Sequence, residues 1–211
     1  MRAVLRVSVI LYVLLFLLVG GSTSVQAQST LNLPRLVEQG GRFTGIAIAN
    51  PSNRSAAIRL QLYDEGGNAI GLPAKGAVLK LGPGAQMAQF DNQLFPLQTG
   101  FRGWAQIISD DNSNLRGFYL VGDEAVTVLD GTNGAQAYRE QILPFLANDA
   151  NTDTEINVVN PSDQIASVSL RTIASDGTVS VFGTVGLTLQ PHAVFRRSTK
   201  CPLIRHIQLS W

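Results

Sequence analysis

The sequence predicts an all-β protein: two tandem β-sandwich modules, the second incomplete, behind an N-terminal segment that is not part of the fold. Three observations carry this. Apolar and polar residues alternate at period two in short runs. Ile58, Leu60 and Leu62 against Arg59, Gln61 and Tyr63 are one case, which gives a strand one apolar and one wet face. The runs are bounded by Gly, Pro and Asn, and no segment sustains a 3.6-residue period, so helices are not expected to build the core. The third observation is that the chain repeats itself.

Leu33-Pro34-Arg35-Leu36 matches Leu143-Pro144-Phe145-Leu146, and Ile48-Ala49-Asn50-Pro51-Ser52 matches Val158-Val159-Asn160-Pro161-Ser162. Ile58-Arg59-Leu60 matches Val168-Ser169-Leu170, and Gly67 matches Gly177, all at an offset of 110 residues. Leu79-Lys80-Leu81-Gly82-Pro83 then matches Leu187-Thr188-Leu189-Gln190-Pro191 at an offset of 108. A constant offset with one small slip in a loop is the mark of duplication. The period is that of a small β-domain, far longer than a solenoid repeat. It divides the chain into an export signal (1–27), a first module (28–135), a second, incomplete module (136–196) and a basic tail (197–211) foreign to the pattern.

The elements follow in order. Ile46 and Ile48 alternate with Ala47 and Ala49 before Asn50-Pro51-Ser52 turns the chain. Asp64-Glu65-Gly66-Gly67-Asn68 is a hairpin-type turn, because glycine reaches positive φ without steric cost. Leu79 and Leu81 form a strand ended by Gly82-Pro83-Gly84, and Asp91 to Phe95 makes a helical turn stopped by Pro96. Strands are expected at Gly103–Ser109, Leu115–Val121 and Ala125–Leu129, with Trp104 and Phe118 in or near the core. After Pro191 the chain has 20 more residues, against 47 between Pro83 and Asp130. The second module is therefore expected to lack counterparts of those three strands. Its ending reads as a truncated or frame-shifted chain, or as a domain completed by a strand from another subunit.

Thr44-Gly45-Ile46-Ala47-Ile48-Ala49-Asn50-Pro51-Ser52, the Leu62–Asn68 turn, Leu81-Gly82-Pro83-Gly84 and Phe101-Arg102-Gly103 together resemble a repeat module of secreted bacterial multi-repeat proteins. That module is similar to immunoglobulin-like or fibronectin-III-like sandwiches. The resemblance covers most of 33–130 and returns over 143–195. It implies a fold and carries no catalytic residues. Asp176-Gly177 in place of Gly66-Gly67, and His192 in place of Gly84, read as ordinary turn changes.

Arg2 and Arg6, an apolar run from Val7 to Val19, and small residues at Val25 and Ala27 compose a secretory signal cleaved after Ala27. The apolar run is shorter than the ~20 residues of a spanning helix, so no membrane segment is expected after cleavage. Export implies a secreted, cell-surface or periplasmic location. With Cys201 as the single cysteine, no internal disulfide can form, and stability must come from a buried core. From Gln28 to Phe195 there are 10 Lys and Arg against 15 Asp and Glu. An acidic body without a basic stripe excludes nucleic acid as the expected partner, because phosphate neutralisation needs clustered cations. Arg196, Arg197, Lys200 and Arg205 read as a solvated basic end.

No residue set reads as catalytic, cofactor-binding or metal-ligating. Asp110-Asp111-Asn112-Ser113-Asn114 has the alternation of a calcium loop, but Leu115 and Val121 stand where glycine and glutamate are required. Asp149, Asn151, Asp153 and Glu155 repeat the alternation with Thr154 at the glycine position, which leaves at most a weak calcium site. Cys201 and His206 lie in the tail, where no scaffold positions a nucleophile and its base. Asp64-Glu65 and Asp123-Glu124 are turn carboxylates. Tyr63, Trp104, Tyr119 and Tyr138 would form a sugar-stacking face only if exposed together. The sequence thus points to a non-enzymatic structural, adhesion or interaction module that engages protein or polysaccharide at a cell surface. A carbohydrate-binding accessory module needs coplanar exposed aromatics, and a hydrolase with dispersed residues needs a polar cleft with converging titratable groups.

Overall fold

The computed structural model describes residues 29–70, 78–95, 97, 100–109, 114–143, 153–173, 176–198 and 207–210. The expected export signal lies outside them. The described chain is all β, with antiparallel pairing throughout and one helical turn. In the first half run β1 (Ser29–Glu38), β2 (Arg42–Ala49), β3 (Ala56–Asp64), β4 (Ala69–Ile70), β5 (Val78–Leu81), β6 (Gln86–Phe90), α1 (Asp91–Leu94), β7 (Phe101–Ser109), β8 (Arg116–Asp123) and β9 (Leu129–Asn133). In the second run β10 (Glu140–Leu143), β11 (Glu155–Val159), β12 (Ala166–Ile173), β13 (Val179–Leu189), β14 (Val194–Ser198) and β15 (Ile207–Ser210).

Two sheets share the first core. One has the order β1-β7-β3-β4, with β5 also on β3, and the other the order β6-β2-β8-β9. Alternation decides what each buries. Leu33, Ile58, Leu62 and Ile107 come from the first sheet and Ile46, Ile48 and Val121 from the second, all but removed from water. Burying such a side chain contributes about 1.5–3 kcal/mol. A smaller cluster of Ile156, Val158, Val168, Leu170 and Leu189 forms the second core.

Three expectations change. The strand expected at Ala125–Leu129 is β9 at Leu129–Asn133, preceded by a turn. Phe118 is 41% exposed, because Tyr119 and Val121 take the inward phase of β8. Tyr63, read as facing water with Arg59 and Gln61, is buried.

Strand pairing in the second half follows the first in register. Ile48 pairs with Met87 and Val158 with Phe195; Ile58 pairs with Leu79 and Val168 with Leu187. The tail corrects the sequence reading. Leu209 of β15 lies opposite Gln141 and Leu170, as Ile107 of β7 lies opposite Leu31 and Leu60. A counterpart of Gly103–Ser109 is therefore present, in the segment taken as foreign to the fold. Counterparts of β8 and β9 are absent among the described residues.

Each half is tied at one end by a buried asparagine. Asn50 Nδ2 donates toward the carbonyls of Arg54, Leu81 and Gly82 at 2.7, 3.2 and 3.0 Å, while its Oδ1 accepts from Ser52 N at 3.1 Å and Ser52 Oγ at 2.7 Å. Asn160 does the same with Gln164, Leu189 and Gln190 at 2.7, 3.3 and 3.0 Å, and with Ser162 N and Oγ at 3.2 and 2.8 Å. Backbone N–H groups close both clasps, Asn50 to Ala85 O at 2.9 Å and Asn160 to Ala193 O at 3.0 Å. Pro51 and Pro161 follow the asparagines and keep them out of helical backbone.

Asn50→Asp tests the clasp with almost no change of shape. The new carboxylate oxygen faces three carbonyls where an N–H group donated. Urea denaturation is expected to show a loss of about 2–4 kcal/mol at pH 8. The loss shrinks at pH 3, where the protonated carboxyl donates once. An unchanged midpoint at pH 8 contradicts the clasp.

Candidate functional site

The face of β3 and β7 that points away from the first core carries Tyr63, Trp104 and Gln106. Trp104 and Tyr63 are 0% and 7% exposed, and neither belongs to the first core cluster. The β13–β14 turn of the second half closes over them. The Trp104 indole Nε1 donates to His192 O at 2.7 Å. The Tyr63 ring stacks on both neighbours, with centroids 4.8 Å from Trp104 and 4.3 Å from His192, while Trp104 and His192 are 6.4 Å apart. Gln106 Nε2 donates to Pro161 O at 3.2 Å, and Val194 N to Glu65 O at 3.2 Å. Burial, then the neighbouring Asp163 carboxylate, pushes the Tyr63 hydroxyl's pKa up.

Two backbone positions make the approach possible. Gly67 has φ +90°, and a Cβ there would meet Pro191 O at 2.2 Å, so only glycine fits beneath the turn. His192 has φ +57°, where Gly84 of the first half has φ +64°. A side chain in left-handed backbone costs about 1–2 kcal/mol. The ring recovers this through its stack on Tyr63 and its Nε2 contact with Asp163 Oδ1 at 2.8 Å. His192 is therefore a junction residue rather than an ordinary turn change.

Beside the stack runs a chain of charges of alternating sign, Asp130–Arg35–Glu155–Arg196–Glu65–Arg102. Successive N–O distances are 3.0, 3.2, 3.4, 2.8 and 3.4 Å. Glu155 and Arg196 belong to the second half and the other four residues to the first. The central arginine side chains are 11% and 9% exposed, whereas Asp130 at one end is 69% exposed. Arg196 Nε also donates to Asn157 Oδ1 at 2.7 Å. Burial pulls the Arg196 pKa down, opposed by Glu155 and Glu65. Arg196, read as part of a solvated basic end, is a buried cross-link.

A second candidate is a recess of about 470 Å³ lined by Glu38, Arg42, Phe43, Phe90, Asn92 and Glu124, among others. Behind it lies Asp91, at the start of α1 and fully buried. Asp91 accepts from Asn92 N at 2.9 Å and from the Thr44 backbone, and its carboxyl hydrogen-bonds that of Glu38. Asp91 Oδ2 and Glu38 Oε2 are both buried without a hydrogen-bond partner. Burial, then the Glu38 charge, raises the Asp91 pKa to about 6. Asp91 does not line the recess and has no access to a substrate, which makes the pair an anchor for α1.

The other sequence candidates do not converge. Asp110–Ser113, Asp149, Asn151, Cys201 and His206 lie outside the described residues. Asp153 bonds Ser198 Oγ, and Glu155 is in the charge chain. Tyr119 is buried, with its hydroxyl pKa pushed up to about 12 by burial, while Tyr138 is 55% exposed. With Tyr63 and Trp104 covered, the four aromatics form no common exposed face. Among the described residues no three His, Cys, Asp or Glu gather as for a metal ion, and no helix is long and apolar enough to cross a membrane. No family model matches the chain, and no curated protein or solved structure does.

The Asp91 carboxyl sets a pH dependence. Its folded pKa lies above the unfolded value, so its stabilising contribution is full below about pH 4 and is lost as the pH rises through about 6. Asp91→Asn keeps the acceptor for Asn92 N. It is expected to remove this slope and to raise stability at pH 7.5 by about 1–2 kcal/mol, read from urea midpoints between pH 3.5 and 7.5. At His192, Ala is expected to be less stable than Gly by about 1 kcal/mol, because both lose the ring and only Ala keeps the strained φ. Equal stabilities would exclude the backbone argument.

Proposed function

We propose that the chain is a non-enzymatic, exported β-scaffold of a bacterial surface or extracellular protein. Its two tandem sandwich units are held as one stiff body, serving as a structural, adhesion or interaction module. The resemblance to immunoglobulin-like or fibronectin-III-like repeats, the matched strand registers and the paired asparagine clasps support two units of one kind. The observation that carries the reading is the junction. A fully buried tryptophan and two nearly buried arginines bridge the halves, where a flexible tether would leave polar surface. Such a joint transmits orientation along the chain and leaves the outer sheet faces free for partners.

Differential scanning calorimetry tests stiffness directly. One transition is expected, with calorimetric and van't Hoff enthalpies equal. Trp104→Ala removes the central ring and is expected to cost about 3–5 kcal/mol and to split the transition into two. Two transitions in the unaltered protein would refute a single stiff body.

A further inference from the structure

One strand of the second half has an edge that its counterpart in the first half does not have. If the halves are two units of one kind, as proposed above, β11 stands where β2 stands. β2 is flanked by β6 and by β8. β11 pairs with β14, the counterpart of β6, and with no other strand among the described residues. The asparagine clasp fixes which backbone groups this leaves over. Asn160 donates its N–H to Ala193 O, and backbone groups along an antiparallel pair alternate sides. Val158 and Ile156 therefore bond β14, while Glu155, Asn157 and Val159 turn their N–H and C=O toward the open edge. The first half obeys the same phase. Asn50 N–H meets Ala85 O, and Gly117 O accepts from Gly134 N–H on the far side of β8, which leaves the Phe118 backbone facing Ala47 of β2.

A groove runs along this edge. Asn157, Val158 and Val159 line it together with Gln136, Tyr138 and Gln141, and no described residue of β14 does. Both phases of β11 thus border it, as they do at an edge and not over a face. The segment after β9 does not fill the place of β8, because Ala135 exchanges its backbone bonds with Asn32 of β1, at 2.7 and 3.0 Å. The other described strands of the second half already hold the pairings of their counterparts, β10-β15-β12-β13 for β1-β7-β3-β5, so none of them is spare. An edge with unpaired N–H and C=O groups is a template for an added strand. The register of β8 on β2 says what that strand carries. Gly117 lies opposite Ile48 and Tyr119 opposite Ile46, and the Tyr119 ring belongs to the first core. Positions opposite Val158 and Ile156 therefore take apolar side chains into the second core. Opposite Asn157 the outward side chain enters the groove, which holds about 80 Å³ between amide side chains; that suits one small polar group and not a phenyl ring. Glu155 is already paired with Arg35 and Arg196, so the position opposite it takes a neutral residue. We propose that the open edge of β11 receives an extended segment of another polypeptide, antiparallel to it, with apolar residues inward and Ser or Thr outward, as the strand that β8 is to β2.

The probe is a synthetic peptide of Arg116–Asp123 carrying Phe118→Thr and Leu120→Thr, added to the chain beginning at Gln28. Fluorescence anisotropy is expected to show saturable binding below millimolar peptide, and hydrogen exchange to slow at the amides of Asn157 and Val159. N-methylation of the peptide at position 118, whose amide faces β11, is expected to weaken binding at least about tenfold. The same change at position 119, whose amide points away, is expected to weaken it far less. Absence of binding at millimolar peptide, by a chain that unfolds in one transition, overturns the added strand and leaves the stiff two-unit scaffold standing. Equal losses from the two methylations, or binding that leaves Asn157 and Val159 unprotected, also overturn it. Two unfolding transitions would sink the stiff scaffold alone, and the peptide would still decide the edge, because β11 and β14 both lie in the second half.

Discussion

The indole of Trp104 organises the molecule. It points away from the first core, and its N–H needs an acceptor once water is excluded. Both needs are met by one turn of the second half, which supplies His192 O and a ring that stacks on Tyr63. That turn is in place because Asn160 holds the carbonyls of Leu189 and Gln190 and the N–H of Asn160 closes on Ala193 O. The same asparagine device in the first half leaves its turn in solvent with Gly84. Local turn chemistry is shared, and one side chain converts the second turn into a contact.

The charge chain contributes differently from the rings. Exposed pairs such as that of Asp130 are worth about 0–1 kcal/mol, and buried charges repay their desolvation only when fully paired. Arg35 and Arg196 are nearly buried, and each faces two carboxylates. The chain therefore fixes the angle between the halves more than it adds stability, since any other arrangement would strand an arginine without its partners. The apolar contact of Tyr63, Trp104 and His192 supplies the energy.

Much of the fold was legible in the sequence, because each signal was local. Alternation in β2, β3 and β5, the Asp64–Asn68 turn and the helical turn before Pro96 all lie where short-range rules put them. The misses have physical causes. In β8 both phases are apolar, Phe118 and Leu120 against Tyr119 and Val121, so alternation could not choose the inward one. β9 is exposed along its length and exists by edge pairing to β8, which leaves no apolar stripe to read. β15 has only four residues, too few to show a period, although Gln208 echoes Gln106. The junction was the least legible part, because Tyr63 and His192 are 129 residues apart and what covers an outward face is a tertiary fact. Gly67, glycine for its turn and again for the approach of Pro191, was seen for the first reason only.

Native-state hydrogen exchange of the Trp104 indole N–H and the Val194 amide measures the joint itself, since both donors cross it. If the halves are locked as one body, both protons exchange only by global unfolding, at the rate of the slowest β3 and β7 amides. Exchange orders of magnitude faster than those core amides would show the halves parting while each stays folded, and would contradict the account.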